Sequence, residues 1–494
     1  MANISTNTIE LTLADAASGK KEKPKKDIAA ADIVYKGEKL VLPEGMTLQQ
    51  AAELIERRKV YESQETLVQE VFDAFPADGA CMLDTVLNRR YGWSPAVPTP
   101  GFFGDNPPQL INIDVAYGQV RQVPWGRFLL PNVKGHLDCG VGRKDNRYLF
   151  AISAKVLRRD EKVVRGLFDE LRKEIKENSI YRGKAMRVAF LDEEGDELTV
   201  PMPKFLDTDA VNENMLVLSE QLERAVNTNL FTPITRTADC LANNIPVKRG
   251  VLLGGTFGTG KTLIAHVASK LAVQSGITFV YIQKATELSY AIEFARQYQS
   301  PACVIFCEDI DREVTGERSE DMDAILNTID GIDSKTSNII VVLTTNEIKA
   351  IHPAMLRPGR LDAVIDVTAP DAKAIERLIH VYAGDALEAG IDLKAVGEVL
   401  AGNIPAVIAE VVKRAKLSQL SIQERGTQVQ SLSAVALLDA AQTIQAQVLL
   451  LNPPKVAPVH HLEQLFTGVM HEAIDSHADF RKLTNRVQEI RERM

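Results

Sequence analysis

Eight consecutive residues, Gly255-Thr256-Phe257-Gly258-Thr259-Gly260-Lys261-Thr262, match the pattern GxxxxGK[ST]. Glycines in such a run let backbone N–H groups curl around phosphate oxygens, and a helix that starts at the lysine adds its partial positive charge. Lys261 then reaches the β- and γ-phosphates of a nucleotide, and the Thr262 hydroxyl ligates Mg²⁺. The chemistry implied is nucleotide phosphate binding.

A second constellation lies downstream, where the apolar run Val304–Cys307 ends in Glu308-Asp309. The first carboxylate after such a strand belongs to the Mg²⁺ shell and the second polarises the attacking water. ATP-hydrolysing sites usually carry Asp and then Glu; here the order is reversed. Glu308 has one methylene more than the usual metal-side acid, and Asp309 loses roughly 1–1.5 Å of reach, a misplacement that can cost about 10²-fold in rate. An active but slow site is the expectation.

These residues need a parallel sheet to position them. "VLLGG" reads as a short apolar strand feeding the glycine loop, "LIAHVASKLA" as the helix leaving it, and "VIFC" as a buried strand. From about residue 214 strands and helices alternate, the signature of a parallel α/β sheet, and from Asp371 the pattern turns helical. The expected fold class is α/β: a phosphate-loop parallel-sheet module at 214–370, a helical lid at 371–450 and a C-terminal helical extension at 451–494. An α+β domain at 31–213 precedes it, behind a polar tail at 1–30, expected to be disordered, with a Lys-rich run at Lys20–Lys26. In that domain a helical stretch runs from about Glu44 to Arg90. Strands follow at "QLINIDVAYG", "GRFLLPN" and "RYLFAISAKV", then a charged helix at Asp160–Asn178 and a hairpin at 185–203. The polar stretch "ENSIYRGKA" at 177–185 reads as a helix end plus a turn.

Residues 338–371, "NIIVVLTTNEIKAIHPAMLRPGRLDAVIDVTAPD", closely resemble the second region of homology of the classical AAA clade, within the AAA+ ATPase superfamily. The resemblance covers about residues 226–450. It implies ATP as the nucleotide, with Mg²⁺, and makes Asn346 the polar sensor that orients water and γ-phosphate. Arg357 and Arg360 become arginine fingers that complete a neighbouring subunit's site. With Lys261, Glu308 and Asp309 these form the expected catalytic set. "LNTIDGI" at 326–332 is similar to the family's inter-subunit signalling segment, with Asp330 as its acid. The stretch from Glu287 to Glu308 is shorter than the family's pore-loop region, and Tyr290, nearest to the aromatic that grips a threaded chain, reads as a packed helix residue. The lid helix opens "GNIPAVIAEVVKRA", with Pro405 in its first turn.

The bulk numbers agree with a multidomain globular chain: 494 residues suit roughly three domains. Apolar residues make up 45% and charged residues 25%. A net charge of −9 argues against non-specific nucleic-acid binding, which needs clustered Lys and Arg. Five cysteines without a CxxC pair fit a reducing compartment, and no apolar run approaches the ~18 residues of a membrane span. A cytoplasmic location is expected. The function expected is that of a ring-forming ATPase, by resemblance a homo-hexamer, whose ATP turnover remodels or assembles a protein client or adaptor bound through the N-terminal domain. Two alternatives are a nucleotide-gated scaffold with vestigial hydrolysis and a nucleic-acid motor or loader.

Overall fold

Among the described residues the central sheet has seven strands, in the order Lys204–Phe205, Ala185–Arg187, Thr278–Ile282, Cys303–Cys307, Ile339–Thr345, Arg249–Gly254, Ala363–Asp366. All neighbours run parallel except the edge pair of 204–205 with 185–187. Every residue of Cys303–Cys307 and Ile339–Thr345 is buried, as a strand covered on both faces requires. The helix Lys261–Gln274 buries Ile264, Ala265, Ala268 and Ala272 in the core that holds Val251, Val304 and Val342. In the computed structural model the described residues are 9–11, 34–36, 39–42 and 45–451, except 102–103, 145–146, 193, 199–200, 202, 311–337, 349–360, 424–427 and 430.

The N-terminal region is α+β. An antiparallel sheet runs Glu65–Val71, Arg147–Leu157, Gly135–Lys144, Arg127–Phe128, Ala96–Val97. Helices Pro76–Tyr91 and Glu161–Asn178 join its core. Gly79 meets Phe150 so closely that a Cβ would sit 2.1 Å from the ring. In Glu161–Asn178, Val164, Leu167, Phe168, Leu171 and Ile175 repeat at helical spacing and are buried. Two expectations change. The stretch from 44 to 90 is not continuously helical: Leu48–Glu62, capped by Thr47, stops, and Glu65–Val71 pairs with Leu157–Ala151 as a strand. Within the expected tail, Ile9–Leu11 pairs antiparallel with Leu40–Leu42, its Ile-Glu-Leu alternation suiting a strand.

The hairpin expected inside the N-terminal domain lies instead on the central sheet. Ala185–Arg187 pairs in parallel with Phe279–Tyr281, and Met186 opposes Phe205 across the hairpin. Compact units divide the chain at Thr368/Ala369, so the first unit holds both the N-terminal region and the central sheet. The stretch 177–185 is the junction. Ser179 Oγ and the Ile180 N–H donate to the Asp78 carboxylate at 2.8 and 3.0 Å. Tyr181 packs on Phe75, Phe205 and Tyr298. Arg182 donates to the carbonyls of Gln297 and Gln299 at 2.8 and 2.7 Å, and the Gly183 N–H to Thr278 Oγ1 at 3.0 Å.

Asp78 is fully buried in this junction. Burial raises its pKa from 3.8 to about 6 against the lowering effect of its hydrogen bonds from Ile180, Ser179 and Tyr298. The folded chain therefore keeps a proton that the unfolded chain releases. The associated stability is fully present below about pH 4 and is lost as pH rises through 6, by about 3 kcal/mol in all. Asp78→Asn, neutral at every pH, is expected to flatten this fall. Urea unfolding of both proteins between pH 4 and 8 checks it; equal pH slopes would remove the assignment.

The second unit, Ala369–Met494, is helical where described. Asp371 caps Ala372–Ala383 by accepting from the Ala374 N–H at 2.8 Å. Pro405 is the first residue of Pro405–Ile422, and Lys416 from that helix donates to the Tyr382 and Ala383 carbonyls at 3.1 and 3.0 Å. Ile375, Ile379, Val396, Leu400, Ile408 and Val412 are buried within the unit. Among the described residues no helix is long and apolar enough to cross a membrane.

Candidate active site

The strand Arg249–Gly254 delivers the chain into Gly255–Gly260, and the helix begins at Lys261. Two glycines are needed for local reasons. Gly255 has φ +151°, and a Cβ there would lie 2.3 Å from the Val367 carbonyl; Gly260 precedes the helix at φ +107°. Thr259 Oγ1 donates to the Thr256 carbonyl at 2.9 Å and closes the loop on itself. Phe257, at the tip, is 69% exposed.

Two hydrogen-bonded chains radiate from the helix start. In the first, Lys261 Nζ donates to the carbonyls of Gly255 (2.5 Å) and Thr256 (3.0 Å) and to Asn346 Oδ1 (2.9 Å). Asn346 Nδ2 donates onward to Asp309 Oδ1 at 2.9 Å. In the second, Thr262 Oγ1 donates to Glu308 Oε1 at 2.7 Å, and Tyr281 Oη donates to Glu308 Oε2 at 2.7 Å. Burial, with Glu308 beside it, holds the Tyr281 phenol well above its ordinary pKa, so it stays a donor.

Strand order makes the meeting possible. Cys303–Cys307 lies between Thr278–Ile282 and Ile339–Thr345, so the acids that follow it meet Tyr281 on one side and Thr344 and Asn346 on the other. These are the carboxyl ends of parallel strands, where open α/β sheets bind ligands. Asp309 turns out of the strand at φ +45°, a left-handed conformation that Asp adopts more readily than most residues, and its N–H donates to Thr344 Oγ1 at 2.9 Å. The adjacent acids thus point to different partners, Glu308 to Thr262 and Asp309 to Asn346.

The expected site residues Gly255, Thr256, Phe257, Gly258, Thr259, Gly260, Lys261, Thr262, Glu308, Asp309 and Asn346 therefore come together. Arg357, Arg360 and Asp330 lie outside the described residues. Thr262 and Glu308 offer a hydroxyl and a carboxylate already bonded to each other, hard oxygen donors of the kind Mg²⁺ takes, usually few per site. Sequence reasoning missed Tyr281 and Thr344; their signal is a polar group near the end of an otherwise apolar buried strand. Tyr290 is half-buried and stacks on Phe190 with ring centres 6.1 Å apart, as a packed helix residue does. His136 and Cys139 sit apart in the N-terminal sheet, where Cys139 Sγ accepts from the Gly126 N–H at 3.2 Å.

The family model for AAA, the ATPase family associated with various cellular activities, matches residues 251–369, which contain every residue of this site. The chain is 29% identical over 318 residues to the ATP-dependent zinc metalloprotease FtsH 1 of Conexibacter woesei, covering 60% of this chain and 47% of that protein. It is 33% identical over 187 residues to FtsH 2 of Sorangium cellulosum, covering 34% of this chain and 31% of that protein. It is 32% identical over 205 residues to the 26S proteasome regulatory subunit 8 homolog of Schizosaccharomyces pombe, covering 37% of this chain and 50% of that protein. The chain thus spans half or less of each of these relatives. None of its eight histidines begins an H-E-x-x-H zinc-protease pattern.

Proposed function

We propose that this chain, an AAA+ ATPase by the module at residues 251–369, hydrolyses Mg²⁺-ATP slowly within a ring of its own copies and uses the turnover to remodel or assemble a protein partner. The observation that carries this reading is the double chain Lys261–Asn346–Asp309 and Thr262–Glu308, which gathers a phosphate cation, a polar sensor and both acids at one strand edge. Lys261 and the loop N–H groups hold the phosphates, Asn346 aligns the attacking water, and Asp309 accepts its proton. Thr262 and Glu308 would hold Mg²⁺, whose chemistry there would be neutralisation of phosphate charge. The relatives' printed names, a protease and a proteasome regulatory subunit, support a protein as the object of the work. The N-terminal α+β region is the proposed client or adaptor contact.

Ring formation rests on Arg357 and Arg360, which as arginine fingers act from an adjacent subunit; six copies is the proposed number. ATP or a non-hydrolysable analogue is expected to drive assembly. Sedimentation or mass photometry with and without nucleotide, run beside a phosphate-release assay, tests both halves of the proposal. A chain that stays monomeric at every concentration yet turns over ATP would sink the ring. A chain that assembles with ATP and never releases phosphate would favour the nucleotide-gated scaffold, the reading that the reversed acids keep in play.

A further inference from the structure

We propose that Tyr281 is the positioning residue that makes the reversed acid pair workable, by holding the longer Glu308 arm against Thr262. The proposal rests on the hydrolytic reading above. Its basis is cross-strand geometry. Tyr281 and Phe306 are register partners on neighbouring strands, and their rings stack with centres 5.8 Å apart and planes 20° apart. Glu308 lies two residues beyond Phe306, on the same face of an extended chain. The phenol therefore extends past Phe306 and ends on Glu308 Oε2 at 2.7 Å, while Oε1 accepts from Thr262 Oγ1 at 2.7 Å.

One carboxylate thus bridges two donors, one in the phosphate-loop helix and one in the adjacent strand. Glutamate has the extra methylene that this bridge needs; an aspartate at 308 would fall short of one donor by about 1–1.5 Å, the length a methylene adds. An exposed glutamate samples many rotamers, and fixing it costs up to about 2 kcal/mol of entropy. The rigid Tyr281 ring fixes one end of it in advance. Residues that orient a metal-side ligand typically matter by about 10–100-fold in metal affinity or activity, and Tyr281 stands in that relation to Glu308.

The test is a cycle of three variants of the full chain: Tyr281→Phe, Glu308→Asp and the double. Tyr281→Phe deletes one hydroxyl and keeps the ring that stacks on Phe306, and a melting curve of each variant verifies folding. Two quantities are read: the Mg²⁺ concentration giving half-maximal binding of a fluorescent ATP analogue, and kcat with KM for ATP. Tyr281→Phe is expected to raise the Mg²⁺ requirement about tenfold and to lower kcat more than it changes KM, with metal-free nucleotide binding and melting temperature near the parent's. In the Glu308→Asp background, where the short arm no longer bridges, the same change is expected to do nothing further. An unchanged Mg²⁺ requirement in Tyr281→Phe, or penalties that multiply in the double variant, overturns the proposal. If the parent itself releases no phosphate, the hydrolytic reading falls separately, and the Mg²⁺ titration of binding still decides Tyr281.

Discussion

Lys261→Ala is expected to weaken ATP binding by about 10²–10³-fold and to abolish turnover. Lys261 is 7% exposed, and its ammonium donates to the Gly255 and Thr256 carbonyls and to Asn346. Its removal takes away the cation facing the phosphates, where charge-assisted hydrogen bonds are worth about 1.5–3 kcal/mol each. It also leaves Asn346 Oδ1 without its Lys261 donor, so Asn346 loses part of what orients it. Lys261→Arg is expected to fail nearly as badly, because a planar guanidinium does not fit a nearly buried point-charge position. Titration calorimetry with ATP, with a melting curve to confirm folding, checks this. ATP affinity and rate equal to the parent's would refute the phosphate-loop assignment.

The second large effect is at Asp309. Asp309→Asn should bind ATP as the parent does and lose about 10²–10⁴-fold in kcat, the usual contribution of a positioned base. The variant is clean for structural reasons. Asparagine keeps an Oδ1 to accept from Asn346 and tolerates the left-handed φ of +45° as well as aspartate does. Single-turnover phosphate release beside an equilibrium binding curve separates the two quantities, and undiminished turnover would mean that Asp309 is not the base. The same geometry bears on restoring the usual order. Glu308→Asp with Asp309→Glu puts a longer side chain where the backbone favours Asp, at a cost of about 1 kcal/mol, and breaks the bridge from Thr262 to Tyr281. The swap is therefore expected to lower the rate rather than raise it. The reversal is built into the surrounding residues.

What could be read from the sequence follows from how local each feature is. The phosphate loop, its helix and the strand before Glu308 are contiguous, so glycine placement and an apolar run suffice to find them. Asn346 and the arginine pair needed a family resemblance, because nothing in an isolated Asn or RxxR announces its partner. Tyr281 was hidden, since its meeting with Glu308 depends on strand order and register, which lie across the sheet rather than along the chain. Glu65–Val71 reads as helix because Leu67, Val68 and Val71 stand at helical spacing, and only pairing with Leu157–Ala151 makes it a strand. The hairpin expected at 185–203 is a hairpin, but on the central sheet rather than in the N-terminal domain. Its turn is local, but its sheet partner, Phe279–Tyr281, comes far later in the chain.

That edge pairing limits how the gene for such a protein can be cut or recombined. A truncation at residue 214 would remove Ala185–Arg187 and Lys204–Phe205 and leave Thr278–Ile282, the strand that carries Tyr281, as a bare apolar edge open to pairing with other chains. It would also delete Asp78 and Tyr181 from around Tyr298 and Arg182 from the carbonyls of Gln297 and Gln299. The N-terminal region is thus no interchangeable cassette on a tether. A graft of a new recognition domain would have to end before Glu177, leave the native 177–205 segment on the sheet, and supply an acceptor for Ser179 and the Ile180 N–H in place of Asp78.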